Sequence, residues 1–102
     1  MDINQYMDIF IEESKEHLLI LNQNLLELEK DNENMDLVNE IFRAAHTLKG
    51  MAGTMGFNTI MRLTHSMEST LDEVRSGKRQ VTSNLIDVLL QAVDFLENLI
   101  GD

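Results

Sequence analysis

Cysteine, proline and tryptophan are absent from the 102 residues, and the aromatic share is only 5%. Without cysteine there is no disulfide, thiolate nucleophile or zinc–thiolate site, and the redox compartment stays open. Without proline, nothing in the chain forces a break inside a helix. Positive charge is scarce: 8 Lys and Arg stand against 18 Asp and Glu, for a formal net charge of −10. Such a surface repels a phosphate backbone and an anionic bilayer, which argues against nucleic-acid and membrane partners. No apolar run approaches the ~20 residues that a membrane-spanning helix needs. The opening segment, MDINQYMDIF, is acidic and interrupted and does not read as a signal peptide. The expectation is a soluble protein of the cytoplasm.

What remains is 43% apolar, with 7 methionines suited to filling irregular gaps in a core. The length fits one domain over residues 1–102. Four amphipathic segments recur, each with apolar residues three or four apart. The first runs from about Asn4 to Lys30, its stripe being Met7, Phe10, Leu18, Leu21, Leu25 and Leu28, widened by Ile9, Ile11, Leu19 and Leu26. The second spans about Asp36 to Met55, with Asn34 or Asp36 as N-cap and Gly56 as its stop. Its stripe is Leu37, Ile41, Ala45, Leu48, Ala52 and Met55. The third runs from Asn58 to Ser76 along Ile60, Leu63, Met67, Leu71 and Val74. The fourth starts at Thr82 or Ser83 and ends at Gly101, carrying Leu85, Leu89, Ala92, Leu96 and Leu99, with Ile86, Val93 and Ile100 beside them. Short polar connections make successive helices antiparallel, so the fold class is all-α, an up-down four-helix bundle.

The second helix carries the unusual stretch FRAAHTLKGMAGTMGF, residues 42–57. At 100° per residue its apolar stripe centres roughly 40° from Leu37, which leaves His46 at about 180°, facing away. Phe42, Lys49, Gly50 and Gly53 gather around it. Glycine costs a helix interior about 1 kcal/mol relative to alanine. Two of them on an exposed face are explained if something large comes close to His46. On the third helix, His65, Glu68 and Asp72 share one flank, and Glu68 lies nearest the stripe. From there its carboxylate can reach the second helix. A carboxylate that accepts a hydrogen bond from one imidazole nitrogen fixes the tautomer and leaves the other nitrogen's lone pair outward. As a flank group, Glu68 is expected to matter for chemistry and hardly at all for stability. Two other readings fit the same residues: a bundle metal site using His46, His65 and Glu68, and a structural interaction module without chemistry.

IFRAAHTLKGMAGTMGF (41–57) followed by LTHSMES (63–69) closely resembles the histidine phosphotransfer (HPt) domain of chemotaxis histidine kinases. The likeness covers nearly the whole chain. Its H-x-L-K-G core is shared by HPt proteins generally, and T-H-x-x-E in the next helix points to the chemotaxis branch. The resemblance implies that His46 is the phosphoacceptor of a two-component phosphorelay, taking the γ-phosphoryl group of ATP from a separate histidine kinase ATP-binding domain. His46 then passes it to an aspartate on a response regulator receiver domain. Glu68 matches the residue that orients and activates the histidine, Lys49 and His65 the other polar groups of the site, and Gly50 the glycine that leaves room beside it, with Gly53 on the same face. Met51 stands where some relatives carry glycine, one position off that face, and is expected to be tolerated. No cofactor or metal is expected on this domain: ATP and Mg²⁺ belong to the kinase domain, and Mg²⁺ to the receiver. The chain is expected to be the N-terminal fragment of a larger kinase or, failing that, a stand-alone carrier. Alone it should have no kinase activity, because the glycines of KGMAGTMG lie on a helix and form no phosphate-cradling loop. Phosphate is expected on His46 and on neither His17 nor His65.

Overall fold

The computed structural model describes residues 2–101. It contains four antiparallel helices: α1 (Ile3–Lys30), α2 (Met35–Met55), α3 (Asn58–Arg75) and α4 (Ser83–Gly101). Each neighbour in sequence is a neighbour in space, and α1 also packs on α4, so the helices close a ring with α1 opposite α3 and α2 opposite α4. The result is a rod of 44 × 20 × 20 Å. Its length is that of α1, whose 28 residues span about 42 Å at 1.5 Å each.

Local chemistry sets the helix ends. Asp2 and Gln5 form a reciprocal capping box at the start of α1. The side-chain oxygen of Asn34 accepts from the backbone N–H groups of Asp36 and Leu37, making Asn34 the cap of α2. The Thr82 hydroxyl accepts from the Leu85 N–H and starts α4 in the same way. At the end of α2, Gly56 takes φ 76°, and the N–H of Phe57 reaches back to the Ala52 carbonyl at 2.9 Å. That pair of features is a Schellman stop, which favours glycine because other residues strain at positive φ. Gly77, at φ 79°, ends α3 similarly, with Lys78 N–H bonded to the Glu73 carbonyl.

The core runs the length of the rod through Leu21, Leu25, Leu28, Ile41, Leu48, Met67, Leu71, Ile86 and Leu96, all almost fully buried. Phe10 and Phe57 meet edge-on at 5.1 Å and close the end of the bundle where the α2–α3 turn lies. The buried face of α2 is broader than the expected stripe, reaching Val38 on one side and Ala44 on the other. Leu37 and Met55, in the end turns of α2, are only half-buried. Ile9, Leu19 and Leu26 do not widen the buried face of α1, and Leu99 does not join that of α4; all four are exposed. Each lies on a flank to which the ring brings no further helix. In place of such residues, Ser14 and Thr64 are buried. Thr64 donates back to the Ile60 carbonyl at 2.8 Å, whereas the Ser14 hydroxyl has no partner.

Candidate functional site

The site is built on the α2–α3 seam, the most extensive helix pairing in the molecule. His46 stands on the outer face of α2 with 63% of its side chain exposed. Glu68 faces it from α3 and is buried. One carboxylate oxygen, Oε1, pairs with His46 Nδ1, and the other, Oε2, accepts from Lys49 Nζ at 2.6 Å. Both oxygens of a buried acid are therefore engaged by groups from the neighbouring helix.

Burial pushes the Glu68 carboxyl upward, but the hydrogen bonds from Lys49 and His46, with the positive charge of Lys49, outweigh it. Its pKa lies below the ordinary glutamate value. The acid is thus ionised at neutral pH, and a carboxylate can only accept. The shared proton then belongs on Nδ1. In a neutral ring this leaves the Nε2 lone pair free, on the side of the imidazole away from Glu68.

Lys49, expected among the polar groups of the site, reaches the same acid as His46. Three residues beyond His46, it leans toward α3 and is held by Glu68, with 28% of its side chain exposed. His65, three residues before Glu68, is exposed and makes no hydrogen bond to His46, Lys49 or Glu68. His46, His65 and Glu68 do not converge: among the described residues no group of His, Asp and Glu is placed to hold a metal ion. His17 lies on α1, its Nδ1 2.8 Å from the Glu13 carbonyl one turn back.

The glycines behave differently from one another. A Cβ placed on Gly50 would meet nothing within 4 Å, so the fold itself does not require glycine there. A Cβ on Gly53 would touch the Met61 sulfur at 3.5 Å, an ordinary contact. Met51 turns partly inward and packs at the edge of the core.

Two residues that the sequence pattern did not single out for a role build outward from the histidine, Phe42 beside it and Arg75 over Phe42. The Phe42 ring, one turn before His46, lies parallel to the imidazole, with centroids 6.3 Å apart and planes inclined by 4°. Above Phe42 sits the Arg75 guanidinium, its Cζ 3.7 Å from the ring centroid. Nothing local to α2 signals Arg75, which comes from the last turn of α3.

This bundle, with an exposed histidine backed by a buried acid, is a histidine phosphotransfer domain, and the chain belongs to the Hpt domain family, whose model matches residues 5–99. Its relatives are more particular. It is 54% identical over 100 residues to the chemotaxis protein CheA of Bacillus subtilis, covering 98% of this chain and 15% of that protein. It is 39% identical to CheA of Salmonella typhimurium, covering 95% of this chain and 14% of that protein. Among solved structures, the CheA phosphotransferase domain from Thermotoga maritima superposes with a TM-score of 0.95 at 46% identity, covering 98% of this chain and 95% of that one. The chain thus spans about one-seventh of the length of the curated relatives it matches.

Proposed function

We propose that this chain is the phosphoacceptor and carrier module of a chemotaxis two-component pathway, with His46 alternately taking and giving a phosphoryl group. The observation that carries this reading is the pairing of His46 Nδ1 with the buried Glu68 carboxylate, beneath an imidazole that is otherwise open to solvent. Nε2 attacks the γ-phosphorus of ATP held by a separate kinase domain. The N–P bond forms as the P–O bond to ADP breaks. Positive charge developing on the ring is balanced through Nδ1–H by Glu68, which makes the imidazole a stronger nucleophile. In the second step an aspartate oxygen of a receiver domain attacks the same phosphorus. The N–P bond breaks and its electron pair returns to Nε2.

Phosphoryl transfer asks for in-line geometry and neutralised charge, and little else of the acceptor. Mg²⁺ brought by the kinase and receiver domains would screen the phosphoryl oxygens. Lys49 shares the Glu68 carboxylate with the acceptor, and once the phosphoryl group is on Nε2 it exchanges part of its bond to Glu68 for the new anion. Gly50 clears the face through which both partners approach. An ATP-dependent donor implies a cytoplasmic setting, and no helix among the described residues is long and apolar enough to cross a membrane.

The test is incubation with a CheA-type kinase catalytic domain, Mg²⁺ and labelled ATP. Label is expected on the parent chain, lost in acid and retained in alkali, and absent from His46→Gln. Efficient labelling of His46→Gln would refute the assignment.

A further inference from the structure

We infer that Phe42 and Arg75 are positioning residues for the His46 imidazole: the guanidinium of Arg75 holds the Phe42 ring, and that ring aligns the plane of the histidine. The inference rests on the phosphotransfer reading of His46. Glu68 grips the imidazole at one point, Nδ1. A single in-plane hydrogen bond leaves the ring able to rock about the line of that bond, which swings Nε2 off target. Because the His46 side chain is 63% exposed, little protein surface is available to stop the rocking. Phe42 supplies it. Its ring is inclined only 4° to the imidazole at a centroid distance of 6.3 Å, within the range of offset-stacked pairs.

Phe42 is half-buried and would itself be loose on its outer side without Arg75. The Arg75 Cζ lies 3.7 Å from the ring centroid, a cation–π distance. The guanidinium is fixed in turn by Asp72 Oδ1, 2.8 Å from Nη2, and by Asn39 Oδ1, 3.5 Å from Nη1. Asp72 lies one turn after Glu68 on α3, and Asn39 one turn before Phe42 on α2. The brace therefore links the same two helices as the Glu68 contacts, one level further along the seam. The ring of His46 is held in its plane by Glu68 and on its side by Phe42. The charge of Arg75 is engaged by Asp72 and the aromatic face.

The test compares the parent with Phe42→Leu, Arg75→Lys and the double variant. Arg75→Lys keeps a positive charge at the C-terminal end of α3 but loses the planar guanidinium, so it isolates stacking from charge. In Phe42→Leu, the His46 ring-proton resonances of the unphosphorylated chain should move as the aromatic ring current disappears, with those of His17 and His65 unmoved. Each single variant should slow phosphorylation of His46 by a CheA-type kinase domain about two- to fivefold, the scale of one partly exposed cation–π or stacking contact. Arg75→Lys should add no further slowing in the Phe42→Leu background, because it acts through that ring. Melting curves show whether any loss of rate merely follows unfolding. Unmoved His46 resonances with parental rates would overturn the inference. So would an Arg75 effect that persists without Phe42, which would put Arg75 directly on the phosphoryl group or its donor. Failure of the parent to accept phosphate would sink the phosphotransfer reading instead, leaving the ring resonances to decide whether Phe42 aligns the histidine.

Discussion

Glu68 is buried, and its carboxylate holds both His46 and Lys49, so it serves the site and the α2–α3 packing together. The sequence places it on a flank beside the apolar stripe, where it is expected to matter hardly at all for stability; its burial adds that second role. Its loss should therefore register in both rate and stability. Glu68→Gln is expected to slow phosphorylation of His46 about 10- to 100-fold, the range seen when the partner orienting a functional histidine is removed. Glu68→Ala should also cost about 1–2 kcal/mol, discounted because the Lys49 ammonium can turn to water. The pH dependence has a definite sign. The folded-state pKa of Glu68 is lowered, so its contribution is complete above the ordinary glutamate value and is lost as pH falls through the lowered one. Melting temperatures taken from neutral to acid pH should drop more steeply in the parent than in Glu68→Gln. Parallel profiles would mean that the carboxylate is not stabilised by folding. Gly50 offers the converse case. No neighbour forbids a side chain there, so Gly50→Ala should stabilise the helix by about 0.5–1 kcal/mol while slowing phosphorylation several-fold. A stabilised variant with the parental rate would show that the face beside His46 need not be bare.

Helix boundaries were the most legible feature of the sequence because caps are local. Asn34, Thr82, Gly56 and Gly77 act within a turn of where they stand, and the observed ends agree with the reading to about one residue. Stripe centres were legible too, since periodicity reports them. Stripe edges were not. Whether Leu19, Leu26 or Leu99 is covered depends on which flank has a neighbouring helix, and spacing along one helix does not carry that information. The same limit divides the site. His46 and Glu68 stood out because each lies off or beside an apolar stripe. The inward lean of Lys49 and the brace from Arg75 to Phe42 arise only when α2 and α3 are side by side. Ser14 escaped notice for a related reason: a small polar residue reads as surface until its face is known to be buried. Its hydroxyl lies fully inside α1's packed face without a partner, so Ser14→Ala should raise stability by about 1 kcal/mol in a denaturant titration. A loss of similar size would show that the hydroxyl is bonded after all.

As a whole the molecule is an acidic rod with His46 exposed on the α2–α3 seam. A formal net charge of −10 disfavours capture of free ATP, and the glycines beside His46 lie within or at the end of α2, in no strand-to-helix loop. The domain should therefore show no label on His46 when incubated with ATP and Mg²⁺ alone. A rate comparable to that with a kinase domain present would require a nucleotide site on this chain and would make it an enzyme in its own right. The central claim concerns a single atom. If the Glu68 carboxylate holds the proton on Nδ1, the phosphoryl group must arrive on the opposite nitrogen. The most direct measurement is ³¹P and ¹⁵N NMR of the chain after phosphorylation by a CheA-type kinase domain, with the ring nitrogens of all histidines assigned. The account predicts a P–N coupling to Nε2 of His46 and none to His17 or His65. Phosphate found on Nδ1 of His46, or on either of the other histidines, would contradict it.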